Sequence, residues 1–273
     1  MNKKISLLLL AFVALIGFVG CWTTTQQDLT NQTNTPRVIN VWYLSYSPGF
    51  IVDPTTKKMS WIFNDVLLEI AKRKNLKINY AEEVTRATSI ETLNADRVDM
   101  IASPVWATDV RIANATLSDP VYYSPIGAYA RANDNRFDTI EKINDPTIRI
   151  AAVDWEGWQV IAQENFPNAT LISFPNTVDL SQMLLEVEFN KEDITFMEPI
   201  ISYEYMQANP GKLKNVAEQT PVKNRPNNYM FKKWNTELAN IINEWIKELI
   251  ADGTMDKIIS QYEPFPWAVT RIK

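Results

Sequence analysis

The residues best suited to holding a charged small molecule are Arg111 and Glu198, each of which follows an apolar run. VDMIA precedes the stretch that ends at Arg111, and DITFM precedes Glu198. Ligands of α/β proteins bind where such strands end. A guanidinium can donate two parallel hydrogen bonds to a carboxylate, and a carboxylate can accept a cationic group. Each residue is therefore a candidate for contact with a charged ligand; a surface arginine and a glutamate at a helix start are the alternatives.

Aromatic and acidic residues surround these two positions in the sequence. Trp106 lies just outside the first apolar run, and the segment DWEGW (154–158) flanks a glycine with two tryptophans and two acids. Such residues can form the walls around a cationic or flat ligand group, although packing between elements is the alternative for each tryptophan. The aromatic and acidic candidates are Trp42, Tyr46, Trp106, Asp154, Trp155, Glu156 and Trp158.

Composition excludes several kinds of chemistry. The 273 residues include no histidine, one cysteine and 7 glycines, and the formal net charge is −5. Histidine-ligated metal sites, Ser-His-Asp triads and Cys-His pairs cannot be built from this chain. The glycines form no phosphate-binding loop, and no block of basic residues suggests nucleic acid as a partner. We therefore predict neither a metal nor a cofactor.

The N-terminus predicts export and a lipid anchor. Two lysines precede a continuous apolar run, which ends at Gly20 and Cys21. This order resembles the lipobox of bacterial lipoproteins, in which the cysteine is acylated; an ordinary signal peptide is the alternative. We expect a signal peptide over 1–20, lipid on Cys21, a flexible tether over 21–36 and an extracytoplasmic location.

From Arg37 onward, predicted strands and helices alternate in two successive series, which predicts an α/β fold with two lobes, each a mostly parallel sheet flanked by helices. The ligand cleft is expected between the lobes. We assign 37–130 with 226–273 to lobe 1 and 131–225 to lobe 2, with the turn-rich run KNRPNN at the return crossing. A terminal helix carries an apolar stripe that includes Trp234 and Trp245.

Five stretches resemble the family 3 solute-binding proteins of bacterial ABC importers, the polar amino acid group with the type II periplasmic binding fold. They are YSPGF, IFNDVLLEIAKRKNLKINY, VDMIASPVWATDVRIANATLSDPVYYSP, DITFMEPIISYEYMQANPGKL and ELIADGTMDKIISQYEP. The resemblance implies a ligand enclosed between two closing lobes. It also implies that Arg111 pairs with the ligand's α-carboxylate, that Thr108 assists, and that Glu198, where aspartate is usual, takes the ammonium.

The chain departs from that family at two places. Pro104, Val105 and Trp106 replace the usual Gly-Met-Thr run, and DWEGW replaces a small Gly-Ser/Thr loop.

The expected function is a monomeric, membrane-tethered binding protein that captures a small polar solute for the membrane subunits of an ABC importer. The alternatives are a ligand sensor and an enzyme that resembles cyclohexadienyl dehydratases, with Glu156, Glu198 or a lysine as its acid or base.

Overall fold

The structure, a computed structural model, describes residues 36–45, 50–266 and 268–272. The predicted signal peptide, Cys21 and Tyr46 lie outside the described residues, as does all of the predicted tether except Pro36.

The described residues alternate between strand and helix along the chain, as the sequence predicts. The strands are β1 (Arg37–Tyr43), β2 (Ile51–Val52), β3 (Met59–Ser60), β4 (Leu76–Glu83), β5 (Met100–Trp106), β6 (Ala115–Leu117), β7 (Tyr122–Arg131), β8 (Arg149–Val153), β9 (Thr170–Phe174), β10 (Ile194–Met197), β11 (Leu213–Asn215) and β12 (Lys223–Lys232). The α-helices are α1 (Ile62–Arg73), α2 (Ser89–Asn94), α3 (Asp109–Asn114), α4 (Gly157–Asn165), α5 (Ser181–Glu188), α6 (Pro199–Ala208), α7 (Thr236–Ala251) and α8 (Thr254–Tyr262). A short 3-10 helix spans Ile140–Ile143.

One hydrogen-bonded path joins eight of these strands in the order β4-β1-β5-β12-β7-β10-β8-β9. Parallel pairing joins β1 to β4 and β5 at one end of the path, and β8 to β9 and β10 at the other. Between them, β7 and β12 pair in the antiparallel sense with their neighbours. Because the carboxyl ends of parallel strands meet at one edge of a sheet, the residues that follow β4 and β5 are brought together. The same holds for the residues that follow β8 and β10.

The segment predicted to form the return crossing is a strand and not a turn. KNRPNN opens β12, and its residues pair with β7 from Lys223 opposite Ile126 to Asn227 opposite Tyr122. Asn, Pro and Arg are weak strand formers, so the local sequence predicts a loop. Pairing with a second extended segment overrides that preference, and the first half of β12 runs antiparallel beside the first half of β7.

Two large apolar cores lie at the two ends of the strand path. The first core packs α1, α7 and α8 against β1 and β5, and its most buried side chains include Val41, Phe63 and Leu249. The second core surrounds β8 and β10 and includes Val153 and Phe196. Trp106, at the end of β5, packs into this second core. The predicted lobe boundaries at residues 130 and 225 stay predictions.

The helical apolar faces are where the periodicity places them, with one exception. In α1 the predicted residues Ile62, Phe63, Val66, Leu67 and Ile70 are all buried, and burial of each such side chain contributes about 1.5–3 kcal/mol.

Trp234 is the exception, because the prediction that it belongs to the stripe of the terminal helix is wrong. Helix α7 begins at Thr236, and its N-cap Asn235 accepts a hydrogen bond from the Leu238 N–H. Trp234 therefore lies before the helix, with a φ of 70° and 79% of its surface exposed.

Candidate functional site

Arg111 lies buried on α3 and forms an ion pair with Glu156. Its Nη2 donates to both Glu156 carboxylate oxygens at 3.1 Å, and its Nη1 donates to the Trp106 carbonyl at 3.3 Å. The two side chains are only 9% and 7% exposed. Thr108 is the N-cap of α3 and accepts a hydrogen bond from the Arg111 backbone N–H at 3.4 Å. This cap fixes the turn that directs the guanidinium toward Glu156.

Two tryptophans pack beside this ion pair. The rings of Trp106 and Trp158 lie 5.0 Å apart between centroids, and the Trp106 indole N–H donates to the Asn227 side-chain oxygen at 3.2 Å. Gly157 makes this packing possible, because a Cβ at that position would lie 2.0 Å from a Trp106 ring carbon. The glycine of DWEGW is therefore required by the close approach of the Trp106 ring.

Glu198 is the N-cap residue of α6, yet its side chain makes no capping hydrogen bond. The residue is 6% exposed, and its Oε2 has no hydrogen-bond partner. The pKa of Glu198 is raised to about 7, chiefly by burial, and the negative charge of Glu156 acts in the same direction. The indole of Trp158 and the guanidinium of Arg86 act in the opposite direction and lower this pKa. The Trp158 N–H lowers the pKa of Glu198 by its proximity, because its geometry does not make a hydrogen bond. A buried carboxyl of this kind is typical of a functional site.

These side chains enclose a small cavity of about 30 Å³. Its lining comprises Leu44, Arg86, Ser89, Pro104, Val105, Trp106, Arg111, Glu156, Trp158, Leu180 and Glu198. A second cavity of about 680 Å³ shares Leu44, Arg86 and Leu180 with it and is bounded mainly by residues 83–86, 176–181 and 201–205. We call the smaller cavity the inner cavity and the larger one the outer cavity. The inner cavity has room for little more than a water molecule, so a larger ligand can enter only if its walls separate.

Five of the predicted site residues line the inner cavity: Trp106, Arg111, Glu156, Trp158 and Glu198. Thr108 does not reach it, because its hydroxyl caps α3. Asp154 accepts a hydrogen bond from the Gln159 side chain at 3.0 Å instead of facing the cavity.

The structure places two of the predicted tryptophans away from both cavities. Trp155 is 73% exposed and lines neither cavity, because its φ of 63° turns the chain at this residue. Trp42 is 1% exposed and packs in a third apolar cluster with Leu93 and Ile101. The Arg97 guanidinium covers the Trp42 ring at 4.9 Å from its centroid. The position of Trp42 on β1 places its side chain in this cluster, and it lines neither cavity.

Arg86 is the site residue that the sequence reasoning missed. It follows the end of β4 and lines both cavities. Its Nη2 donates to the Val178 carbonyl at 2.6 Å, and its buried Nε has no partner. The signal in the sequence is the same as for Arg111, an arginine a few residues beyond a parallel strand. It is weak here because β4 is mostly exposed and so lacks an apolar run.

Comparison with known proteins defines the family. Residues 41–265 match the model for bacterial extracellular solute-binding proteins, family 3. The chain belongs to this family. It is 27% identical over 266 residues to a probable histidine-binding protein of Campylobacter jejuni, which covers 96% of this chain and 99% of that protein. It is 22% identical over 218 residues to the L-cystine-binding protein TcyA of Bacillus subtilis, with 80% and 78% covered. These named relatives are binding proteins.

Solved structures of binding proteins show the same fold. The binding component of an ABC transporter from Wolinella succinogenes, solved with lysine, has a TM-score of 0.71 at 18% identity, with 84% of this chain and 97% of that chain covered. An ancestral amino acid-binding protein that is a precursor of cyclohexadienyl dehydratase has a TM-score of 0.68 at 21% identity, with 82% and 94% covered. The fold is therefore the type II periplasmic binding fold, and the fold-class prediction is confirmed.

Proposed function

We propose that this protein captures an amino acid or a related amine-carboxylate outside the cytoplasmic membrane and delivers it to an ABC importer. The observation that carries the proposal is the buried ion pair between Arg111, on the helix that follows β5, and Glu156, which follows β8. Charges of opposite sign face each other there from different parts of the chain. The family and its histidine- and cystine-binding relatives support the same class of ligand.

In this proposal the ligand binds by replacing the protein's own partners of Arg111 and Glu156. When the cleft opens, the ligand's carboxylate replaces Glu156 on the Arg111 guanidinium, since both offer two oxygens to the same donors. The freed Glu156, together with Glu198, then accepts the ligand's ammonium. Closure excludes water and strengthens these charge-assisted hydrogen bonds, so the ligand shifts the protein toward the closed arrangement.

An enzyme on this fold is the second candidate, and one observation favours it. Glu198 has a pKa of about 7 and an unpaired oxygen in a cavity, which are properties of a general acid or base. The likeness of the fold to that of a precursor of cyclohexadienyl dehydratase supports this candidate. We favour binding, because the named relatives are binding proteins.

Calorimetry with the twenty standard amino acids and L-cystine tests the proposal, followed by mass spectrometry of the recovered ligand. We expect saturable binding of a small subset, and we expect that ligand to be recovered unchanged. Conversion of a bound compound to product would establish the enzyme. Absence of binding for every amino acid tested would contradict the proposed ligand class.

We also propose that the protein is held at the membrane by lipid on Cys21 and acts as a monomer. None of the described helices is long and apolar enough to cross a membrane. Replacing Cys21 by serine is expected to release the protein from the membrane fraction of its host, because acylation needs the thiol. Fractionation followed by immunoblotting measures this. A Cys21→Ser variant that still sediments with membranes would show that another feature anchors the protein.

A further inference from the structure

Four charged side chains line the inner cavity. The two positive ones follow strands at one end of the strand path, and the two negative ones follow strands at the other end. Arg86 and Arg111 follow β4 and β5, which are joined through β1. Glu156 and Glu198 follow β8 and β10, which are direct neighbours. One wall of the inner cavity therefore supplies two guanidinium groups, and the other supplies two carboxyl groups.

These four groups differ in how far their hydrogen-bonding capacity is used. Arg111 and Glu156 satisfy each other through two hydrogen bonds of 3.1 Å. Arg86 and Glu198 do not satisfy each other, because the buried Arg86 Nε and the buried Glu198 Oε2 both lack a partner. A buried polar atom without a partner is costly, so these two atoms mark where a ligand would gain most.

We propose that the cleft is built for a ligand with two amino acid heads, that is, a diamino dicarboxylic acid, and that Arg86 is the residue that selects it. The proposal rests on the proposed function, because it assumes that the cleft binds an amino acid. Each head brings one carboxylate for an arginine and one ammonium for a glutamate. A ligand with one head can pair with one arginine and one glutamate, whereas a ligand with two heads pairs with all four.

The number of charged groups favours the same class. Two carboxylates match the two arginines one to one, and two ammonium groups match the two glutamates and would hold both carboxyl groups in the ionised form. Lysine would leave one arginine without a ligand partner, because it carries one carboxylate. The outer cavity also provides room for the second head: Arg86 borders it, and its volume of about 680 Å³ lies within the range of small-molecule sites.

Calorimetry with a matched set of compounds tests the proposal. The two-headed probes are meso-2,6-diaminopimelate and L-cystine. Lysine lacks one carboxylate of the first probe, 2-aminopimelate lacks one ammonium, and S-methyl-L-cysteine represents one half of the second. We expect at least one two-headed probe to bind more tightly than each of its single-headed counterparts by roughly thirtyfold or more, the lower limit for loss of one partner of a desolvated charged pair.

The variant Arg86→Ala tests whether Arg86 recognises the second carboxylate of the ligand or only helps to hold the cleft closed. Arg86 also bonds to the Val178 carbonyl, so loss of that contact alone would weaken all ligands by the same factor. We expect Arg86→Ala to reduce the affinity for the two-headed probe to that of its counterpart without the second carboxylate, while the affinity for lysine changes little. Arg37→Ala, at a half-exposed surface arginine, is the matched control and should change neither.

Two results would overturn this inference while the proposed function stands. The first is that single-headed amino acids bind as tightly as, or more tightly than, both two-headed probes. The second is that Arg86→Ala weakens both kinds of ligand equally. Binding of none of the compounds, with or without a second head, would contradict the proposed function as well.

Discussion

Arg111→Ala is expected to lower the free energy of unfolding of the ligand-free protein by about 3–5 kcal/mol, because it leaves the Glu156 carboxylate buried without a partner. The Glu156 side chain is 7% exposed, and Arg111 supplies both of its side-chain hydrogen bonds in the structure. The same change should weaken binding of the physiological ligand by roughly thirtyfold or more, since the ligand's carboxylate loses its guanidinium. Urea unfolding measures the first effect, and calorimetry measures the second.

The double variant Arg111→Ala/Glu156→Gln distinguishes loss of the ion pair from loss of the arginine side chain. Glutamine removes the unpaired charge, so we expect the double variant to recover much of the stability that the single variant loses. Neither variant should bind the ligand well. If Arg111→Ala unfolds at the same urea concentration as the parent protein and still binds normally, the ion pair is not present in solution and the binding site lies elsewhere.

The sequence was sufficient to find the residues that follow buried strands. Arg111 and Glu198 each come after an apolar run, and an apolar run predicts a strand whose end faces the cleft. Arg86 could not be found in this way, because β4 is mostly exposed and its sequence, LKINYAEE, contains no apolar run.

The ion pair between Arg111 and Glu156 could not be predicted from local sequence patterns. Arg111 and Glu156 are 45 residues apart, and only the packing of the two cores determines that they meet. Trp42 shows the complementary difficulty, since a strand residue at a given position can face either side of the sheet. Its sequence neighbours are apolar and do not specify the face, whereas the third apolar cluster and the covering Arg97 do.

The second large effect concerns pH and arises from Glu198. Burial raises its pKa from an ordinary value of 4.5 to about 7, so the folded protein binds this proton more tightly than the unfolded chain does. The stability that the protonated carboxyl contributes is therefore fully present below pH 4.5 and is lost as the pH rises to about 7. Each pH unit in that interval corresponds to about 1.4 kcal/mol, and the total is about 3 kcal/mol.

Glu198→Gln mimics the protonated side chain and cannot ionise, so its stability should not show this loss. We expect the variant and the parent protein to unfold at similar urea concentrations at pH 4.5. At pH 8 we expect the variant to be more stable by about 3 kcal/mol, with the difference growing across pH 4.5–7. Glu237→Gln removes an exposed carboxylate on α7 and controls for the change in net charge. A difference between Glu198→Gln and the parent that stays constant from pH 4.5 to pH 8 would mean that Glu198 is hydrated in solution, with the inner cavity open to water.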